Sequence, residues 1–326
     1  MMQDVCLFAH YDKDDRLDDY VLRYLAKLRE LNFSIILIST SRLSAAEIAR
    51  AQILCHDVML RENTGLDFAS WSMGFAKHGP AIGGRLLLAN DSVYGPIGSL
   101  GEALKRLTST AADFYGMIES IEIAPHLQSW FLLFEPWVVR DRTLASILAQ
   151  PFSTMTKRQV IKNAEVGLSC RLVDAGFRYH ALYLVSQEGW IARHFPMNPT
   201  HFLWRELLVY NGIPFLKIDL VRKNPMGLET AEIILEFVRP TDENLCHLIE
   251  SHRARLLDPN DTGRPPKNAM SAWVRRYRNT ILRDGHRLKH EKRPAIEMWN
   301  FGKFVIFIAA SRAYQAIRTL LFPAST

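Results

Sequence analysis

The chain is poor in cysteine. Cys6, Cys55, Cys170 and Cys246 stand far apart and form no CxxC pair. That excludes a zinc-ribbon or disulfide scaffold and leaves reduced thiols in a cytoplasmic protein as the expectation. No window of about 18 uncharged apolar residues occurs, so no spanning helix is expected. The N-terminus, MMQDVCLFAHYDKDD, has neither a basic n-region nor a long apolar h-region, so no secretory leader is expected. Internal repeats and low-complexity tracts are also missing. What is present is 48% hydrophobic over 326 residues, which supplies a sizeable core and excludes global disorder.

Charge is distributed unevenly. Residues 267–326 carry 12 Lys/Arg against 3 Asp/Glu, a net +9, which leaves −3 for the rest of a chain whose total is +6. A basic tail on an acidic body points to an anionic surface as partner. Nucleic acid would leave the acidic body unexplained, so no nucleic-acid partner is expected. In the tail, Met298, Val305, Ile306, Ala309, Ala313, Ala316, Ile317 and Leu320 share one helical face, with Lys303, Ser311, Gln315 and Arg318 opposite. The basic segment WVRRYRNTILRDGHRLKHEKR precedes them. The pattern suits an interfacial helix on anionic lipid; two helices packed on the body or on a second protomer are the alternative.

Along the body, apolar runs alternate with helical spacing. VCLFA, FSIILIS, DVMLR and LLLAN read as strands, at 5–9, 33–39, 57–61 and 86–90. Helices are expected at 20–31, 44–52, 66–77 and 100–107, the second opened by a Ser44/Glu47 capping box and the first capped by Asp18 or Asp15. This alternation predicts a doubly wound, mostly parallel α/β sheet whose strand-end loops, 10–15, 39–42, 61–67 and 90–96, meet in one crevice. Further on, 114–117, 127–134, 137–139 and 177–184 read as strands, 163–175 as a helix opening near Glu165 and ending at Gly176, and 230–257 as helical. DPNDTGRPPKNA, 258–269, reads as a linker.

Four groups of residues could carry chemistry. RENTGLD, with Arg61, Asn63, Gly65 and Asp67, is either an ordinary strand-to-helix loop or a contact for a nucleotide at a helix start. Asn90, Asp91 and Ser92 end a buried strand in an acidic tip; they are either turn residues or the place where a carboxylate meets a diphosphate through Mg2+ or Mn2+. His126, Gln128 and Trp130 offer a proton acceptor, an amide and a flat apolar face for a carbohydrate, or belong to a strand of alternating exposure. Glu165 is either a partner for the helix dipole or a general base.

The order of these pieces resembles a GT-A glycosyltransferase. In the large inverting family of that fold a helix opens Glu-Asp and continues to a Leu, an Arg and a terminal Ala-Gly. Here Glu165, Leu168, Arg171, Ala175 and Gly176 stand in similar places, with Val166 at the second acidic position. A closer resemblance is to the rhamnan synthesis protein F family of bacterial cell-surface polysaccharide glycosyltransferases. It rests on RENTGLDFASW (61–71), LLLANDSVYGP (86–96), DFYGM (113–117), HLQSWFLLF (126–134), NAEVGLSCRLVDAG (163–176) and HFLWRELLVYNGIPFLKIDLVRKNP (201–225), and spans about residues 1–235.

The resemblance implies a GT-A-like domain, expected over 1–257; composition gives the linker over 258–269 and the basic amphipathic tail over 270–326, which the resemblance does not cover. It implies transfer of a sugar, rhamnose being the expected one, from a nucleoside diphosphate donor to a cell-surface polysaccharide or lipid-linked glycan, with inversion. The enzyme would be cytoplasmic, peripheral on the inner face of the membrane. Glu165 would be the base, with His126 the alternative. His10, Arg61, Asn63, Gly65, Asp67, Asn90, Asp91 and Ser92 would bind the donor, and Gln128 and Trp130 the acceptor. Asp91 stands where an Asp-x-Asp metal tip is usual, with one carboxylate in place of two. Either Asp91 holds Mg2+ or Mn2+, or basic groups such as Arg61, Lys217 and Arg222 neutralise the diphosphate. A catalytically inactive sugar-binding scaffold is the competing function.

Overall fold

Val5–His10 (β1, VCLFAH) is buried along its whole length, as a strand covered on both faces must be. It lies in the centre of a parallel group with Ser34–Ser39 (β2), Asp57–Leu60 (β3) and Leu86–Asn90 (β4), in the order β3-β2-β1-β4. In this computed structural model the described residues are 3–121, 123–187, 198–223 and 230–256. Two compact units divide the chain, residues 1–218 with 241–256, and residues 219–240 with 257–326. The linker and the basic tail expected from the sequence lie outside the described residues.

The expected α/β architecture, a mostly parallel sheet flanked by helices, is the one observed. Asp19–Glu30 (α1), Ala45–Gln52 (α2), Leu66–His78 (α3) and Leu100–Leu107 (α4) connect or follow the strands. Ser44 caps α2 by accepting the Glu47 N–H. Asp18 precedes α1 at the capping position, but its carboxylate makes no cap bond and goes to Arg255 and His252 instead. α3 crosses the sheet closely: a Cβ on Gly74 would lie 3.0 Å from Leu7 and Ile38. Trp71, fully buried, donates its indole N–H to the Ala89 carbonyl at 3.1 Å, fixing α3 to the end of β4. Burial of such side chains stabilises the sheet by about 1.5–3 kcal/mol each.

Beyond β4 the sheet changes sense. Phe131–Phe134 (β8) pairs antiparallel with β4 and with Phe114–Ser120 (β6), and Tyr179–Tyr183 (β9) runs parallel to β6. The apolar run expected as one strand over 127–134 is broken. His126–Leu127 (β7) pairs with Ser120 and Glu119, while β8 resumes opposite Gly116 at Leu132. Five residue steps on this strand thus face three on β6; Gln128 N–H still donates to the Ile118 carbonyl at 2.9 Å, and the bulge turns Ser129 and Trp130 out of the ladder. The strand expected over 137–139 is instead the last part of a one-turn helix, Pro136–Val139, with proline at its start, where a missing N–H costs nothing.

The helix expected from 163 begins earlier. Thr156 caps Lys157–Val160 (α5) in a reciprocal box with Gln159, a π-turn follows over Ile161–Val166, and Gly167–Asp174 (α6) completes it. Glu165 therefore lies in the π-turn, not in a first helical turn, and the helix-dipole account of it fails. The stretch read as one helix from 230 forms Ala231–Val238 and Glu243–Leu256 (α7), with a break at 239–242. In the smaller unit, Thr230 caps Ala231–Val238 by accepting the Ile233 N–H.

Val93–Tyr94 (β5) and Leu216–Lys217 (β10) form a separate antiparallel pair, Lys217 opposite Val93. No helix among the described residues is long and apolar enough to cross a membrane.

Candidate active site

Parallel register brings strand ends together. His10 lies opposite Ser39, and Ala9 opposite Asn90, so the loops after β1, β2 and β4 open on one edge of the sheet. His10 is buried, its Nδ1 2.9 Å from Ser39 Oγ and its Nε2 3.9 Å from Asp91 Oδ2. Burial lowers its pKa to about 4, so the imidazole is neutral near pH 7.

Asp91 is anchored at the tip of β4. Its Oδ2 accepts the Tyr11 N–H at 2.8 Å, and Tyr20 donates to its carbonyl at 3.2 Å. Burial pushes the Asp91 carboxyl well above the usual range; the Tyr11 N–H opposes this, and the charges of Asp67 and Asp12 add to it. Asp67 is also raised by burial and by Glu165, against the Asn90 hydrogen bond and the charge of Lys217.

A chain of hydrogen bonds links these groups. Lys217 Nζ donates to Ser92 Oγ at 2.9 Å; Ser92 Oγ donates to Asn90 Oδ1 at 2.6 Å; Asn90 Nδ2 donates to Asp67 Oδ2 at 2.7 Å. Asp67 sits at the start of α3 because Gly65 turns the chain there with φ 67°, and a Cβ on Gly65 would lie 2.6 Å from the Phe152 carbonyl carbon. Asn63 in the same loop is exposed. The Arg61 guanidinium folds back on its own loop, donating to Ser70 Oγ at 3.1 Å and to the Thr64 carbonyl. It lines a separate cavity of about 390 Å³ with Met73 and Phe152.

A second cavity, about 140 Å³, is lined by His126, Gln128, Trp130, Glu165, Asn198 and Lys217, among others. Glu165 Oε1 accepts the Ser129 hydroxyl at 2.9 Å, so the bulge and the π-turn aim at each other. The Gln128 amide is committed to the framework. Its Oε1 accepts the Trp130 indole N–H at 2.8 Å, and its Nε2 donates to Asn198 Oδ1 at 3.0 Å. Trp130 is buried, packed edge-on against Phe215 with Lys217 Nζ 5.6 Å from its ring centre. His126 donates from Nδ1 to the Ala124 carbonyl at 2.7 Å, which leaves the lone pair on Nε2.

The structure therefore gathers Asp67, Asn90, Asp91 and Ser92 at one tip, with His10 beside them. It places Glu165, His126, Gln128 and Trp130 around one cavity, and Lys217 reaches both groups. Sequence reading passed over Ser129, Asn198, Tyr11 and Tyr20. Only a hydroxyl beside Gln128 hinted at Ser129, and Tyr11 acts through a backbone N–H that no sequence marks.

Among the described residues, one trio of acidic and histidine ligand atoms lies within 4.8 Å: Asp12, Asp18 and His252. The Arg255 guanidinium already bonds both of its carboxylates. At the tip Asp91, with Asp67 nearby, would be the residue to hold Mg2+ or Mn2+ arriving on a diphosphate with water, since such ions take one or two protein carboxylates.

The family model described as rhamnan synthesis protein F matches residues 35–297, well over half of the chain. The virulence protein VirA of Vibrio anguillarum is 27% identical over 254 residues, 68% of this chain and 81% of VirA. The protein y4gN of Sinorhizobium fredii is 27% identical over 186 residues, 55% of this chain and 48% of y4gN. Mouse xyloside xylosyltransferase 1 in its apo form overlaps 66% of this chain and 97% of its own at 11% identity, with a TM-score of 0.33. At that score the likeness carries no argument, and the fold assignment rests on the chain's own strand order.

Proposed function

The chain belongs to the rhamnan synthesis protein F family, and from that premise we propose that it is an inverting GT-A-like glycosyltransferase of polysaccharide synthesis. The donor is a nucleoside diphosphate sugar, rhamnose being the proposed sugar, and the acceptor a cell-surface or lipid-linked glycan. One observation carries the reading most strongly. A carboxylate held by a bulge hydroxyl, Glu165 on Ser129, lines a small cavity shared with Lys217, and Lys217 is bonded to the tip that holds Asp91.

In the proposed reaction Glu165 takes the proton from an acceptor hydroxyl. That oxygen attacks the anomeric carbon through an oxocarbenium-like state, and the bond to the diphosphate breaks with its electron pair leaving on the diphosphate. Ser129 orients the Glu165 carboxylate, and His126 Nε2 offers an acceptor to the incoming sugar. Asn90 and Ser92 order the tip, with His10 neutral beneath it. Mg2+ or Mn2+, held by Asp91, would offset charge on the leaving diphosphate. The basic composition of residues 267–326 supports a peripheral position on an anionic membrane.

The test is release of nucleoside diphosphate from a panel of donors, dTDP-rhamnose included, with water as acceptor. Wild type should turn over at least one donor. Glu165→Gln should lose about 10²–10⁴-fold in kcat with donor affinity kept, and Ser129→Ala should fall between the two. Turnover unchanged in Glu165→Gln would contradict its role as base. Donor binding without turnover in either would favour the inactive sugar-binding scaffold.

A further inference from the structure

Three basic residues are candidates to meet the leaving diphosphate, and the structure treats them differently. Arg61 is folded onto its own loop. Arg222 belongs to the other compact unit. Lys217 is stitched to the tip itself. β10 pairs with β5 so that Lys217 lies opposite Val93, one residue past Ser92. On either side, Ile218 N–H donates to the Ser92 carbonyl at 3.1 Å and Ile97 N–H to the Pro214 carbonyl at 2.8 Å. The approach is close enough that a Cβ on Gly95 would lie 2.5 Å from the Pro214 oxygen. A strand of two residues has little stability of its own, so this stitching sets the position of one side chain.

That side chain is a long cation with its two ends committed. The ammonium donates to Ser92 Oγ and lies 5.6 Å from the Trp130 ring centre. It lines the same cavity as Glu165. Any reacting centre between the Asp91 tip and Glu165 has Lys217 beside it.

We infer that Lys217 is a catalytic residue that contacts the diphosphate of the donor and stabilises it as the leaving group. This rests on the transferase reading. As the bond from the anomeric carbon to the diphosphate oxygen breaks, the electron pair stays on that oxygen, and the ammonium turns a donor from Ser92 Oγ towards it. No proton need leave the lysine, because the proton released by the acceptor goes to Glu165. A preorganised donor of this kind contributes about 10²–10³-fold in rate.

Lys217→Met keeps the stem against Trp130 and removes the charge, and Lys217→Gln, which keeps a donor for Ser92, replaces it if the first variant does not fold. Calorimetry in EDTA compares dTDP with dTMP, and UDP and GDP with their monophosphates. Wild type should prefer the diphosphate, and the variants should lose about tenfold or more of that preference. Release of nucleoside diphosphate should fall about 10²–10³-fold, with Lys217→Arg recovering part of it. A folded variant that keeps both the preference and the rate overturns the role of Lys217 while leaving the transferase intact. A wild type that binds no nucleoside diphosphate overturns both.

Discussion

Two groups of acids lie at the strand-end edge of the sheet, and the protein handles them in opposite ways. The loop after β1 carries Asp12, Asp14 and Asp18, and α7 sends Arg255 onto all three. Burial works against the Asp12 charge, yet the hydrogen bonds and charge of Arg255, with the N–H groups of Asp14 and Arg16, hold its carboxyl below the usual range. The same surroundings raise the pKa of Arg255. At the tip of β4, Asp91 receives a backbone N–H, but burial and the charges of Asp67 and Asp12 drive its carboxyl well up. One acidic group contains its own cation; at the other, Asp91 is held by a backbone N–H, and the arrival of a cation there is part of the proposed function. A buried carboxyl shifted this far by its surroundings is a candidate binding group.

Removing the internal cation should break the contrast most. Arg255→Met leaves Asp12 and Asp18 in place without their counter-charge. It should cost about 3–5 kcal/mol, read by urea unfolding at pH 7, because a buried pair that loses one member keeps an uncompensated charge. A change under about 1 kcal/mol would mean that the cluster is solvated and that the contrast is false.

Asp91→Asn should move stability the other way. Because the folded pKa is raised, the unfolded chain loses this proton first as pH rises, and wild type gives up stability above the ordinary carboxylate value of 3.8. The amide removes that loss. We expect a gain on the order of 1 kcal/mol at pH 7, or about 2–4 °C in Tm for a domain of this size, vanishing near pH 3. A lower Tm at pH 7 would show that the carboxylate is a structural anchor for Tyr11.

At pH 7 His10 gives the smallest effect, because its shift acts only in acid. Its pKa is lowered to about 4 by burial, so between pH 6.5 and about 4 the unfolded chain takes up a proton that the folded chain refuses. Stability should fall with acid across that window and level off below it. His10→Asn should flatten the slope there, as followed by Tm against pH.

Much of this was legible in the sequence. The first ninety residues alternate buried runs with helical spacing, and the tip announces itself because the apolar run LLLA leads straight into three polar side chains, Asn90, Asp91 and Ser92, at a strand end. Glu165 and His126, both singled out from the sequence, line one cavity. The rest depends on pairings that no local pattern encodes. QSWFLLF reads as unbroken strand because the bulge at Ser129 and Trp130 is set by register against β6, not by composition. The π-turn that places Glu165 opposite Ser129 has the same residue types as an α-helix. Lys217 was one of three basic candidates, with Arg61 and Arg222, until the two-residue pairing of β10 with β5 brought it to Ser92, 125 positions away in the chain. Gln128 showed the reverse: its amide looked suited to a ligand and instead holds Trp130 and Asn198.

The claim that the tip awaits an external cation is tested most directly by calorimetric titration of the chain and its Asp91→Asn variant with dTDP-rhamnose, each in Mn2+ and in EDTA. The account predicts that Mn2+ tightens binding by wild type about tenfold or more, and that Asp91→Asn keeps the weaker, metal-free binding but loses the gain. A gain from Mn2+ that persists in Asp91→Asn, or wild-type binding that ignores the metal, would contradict it.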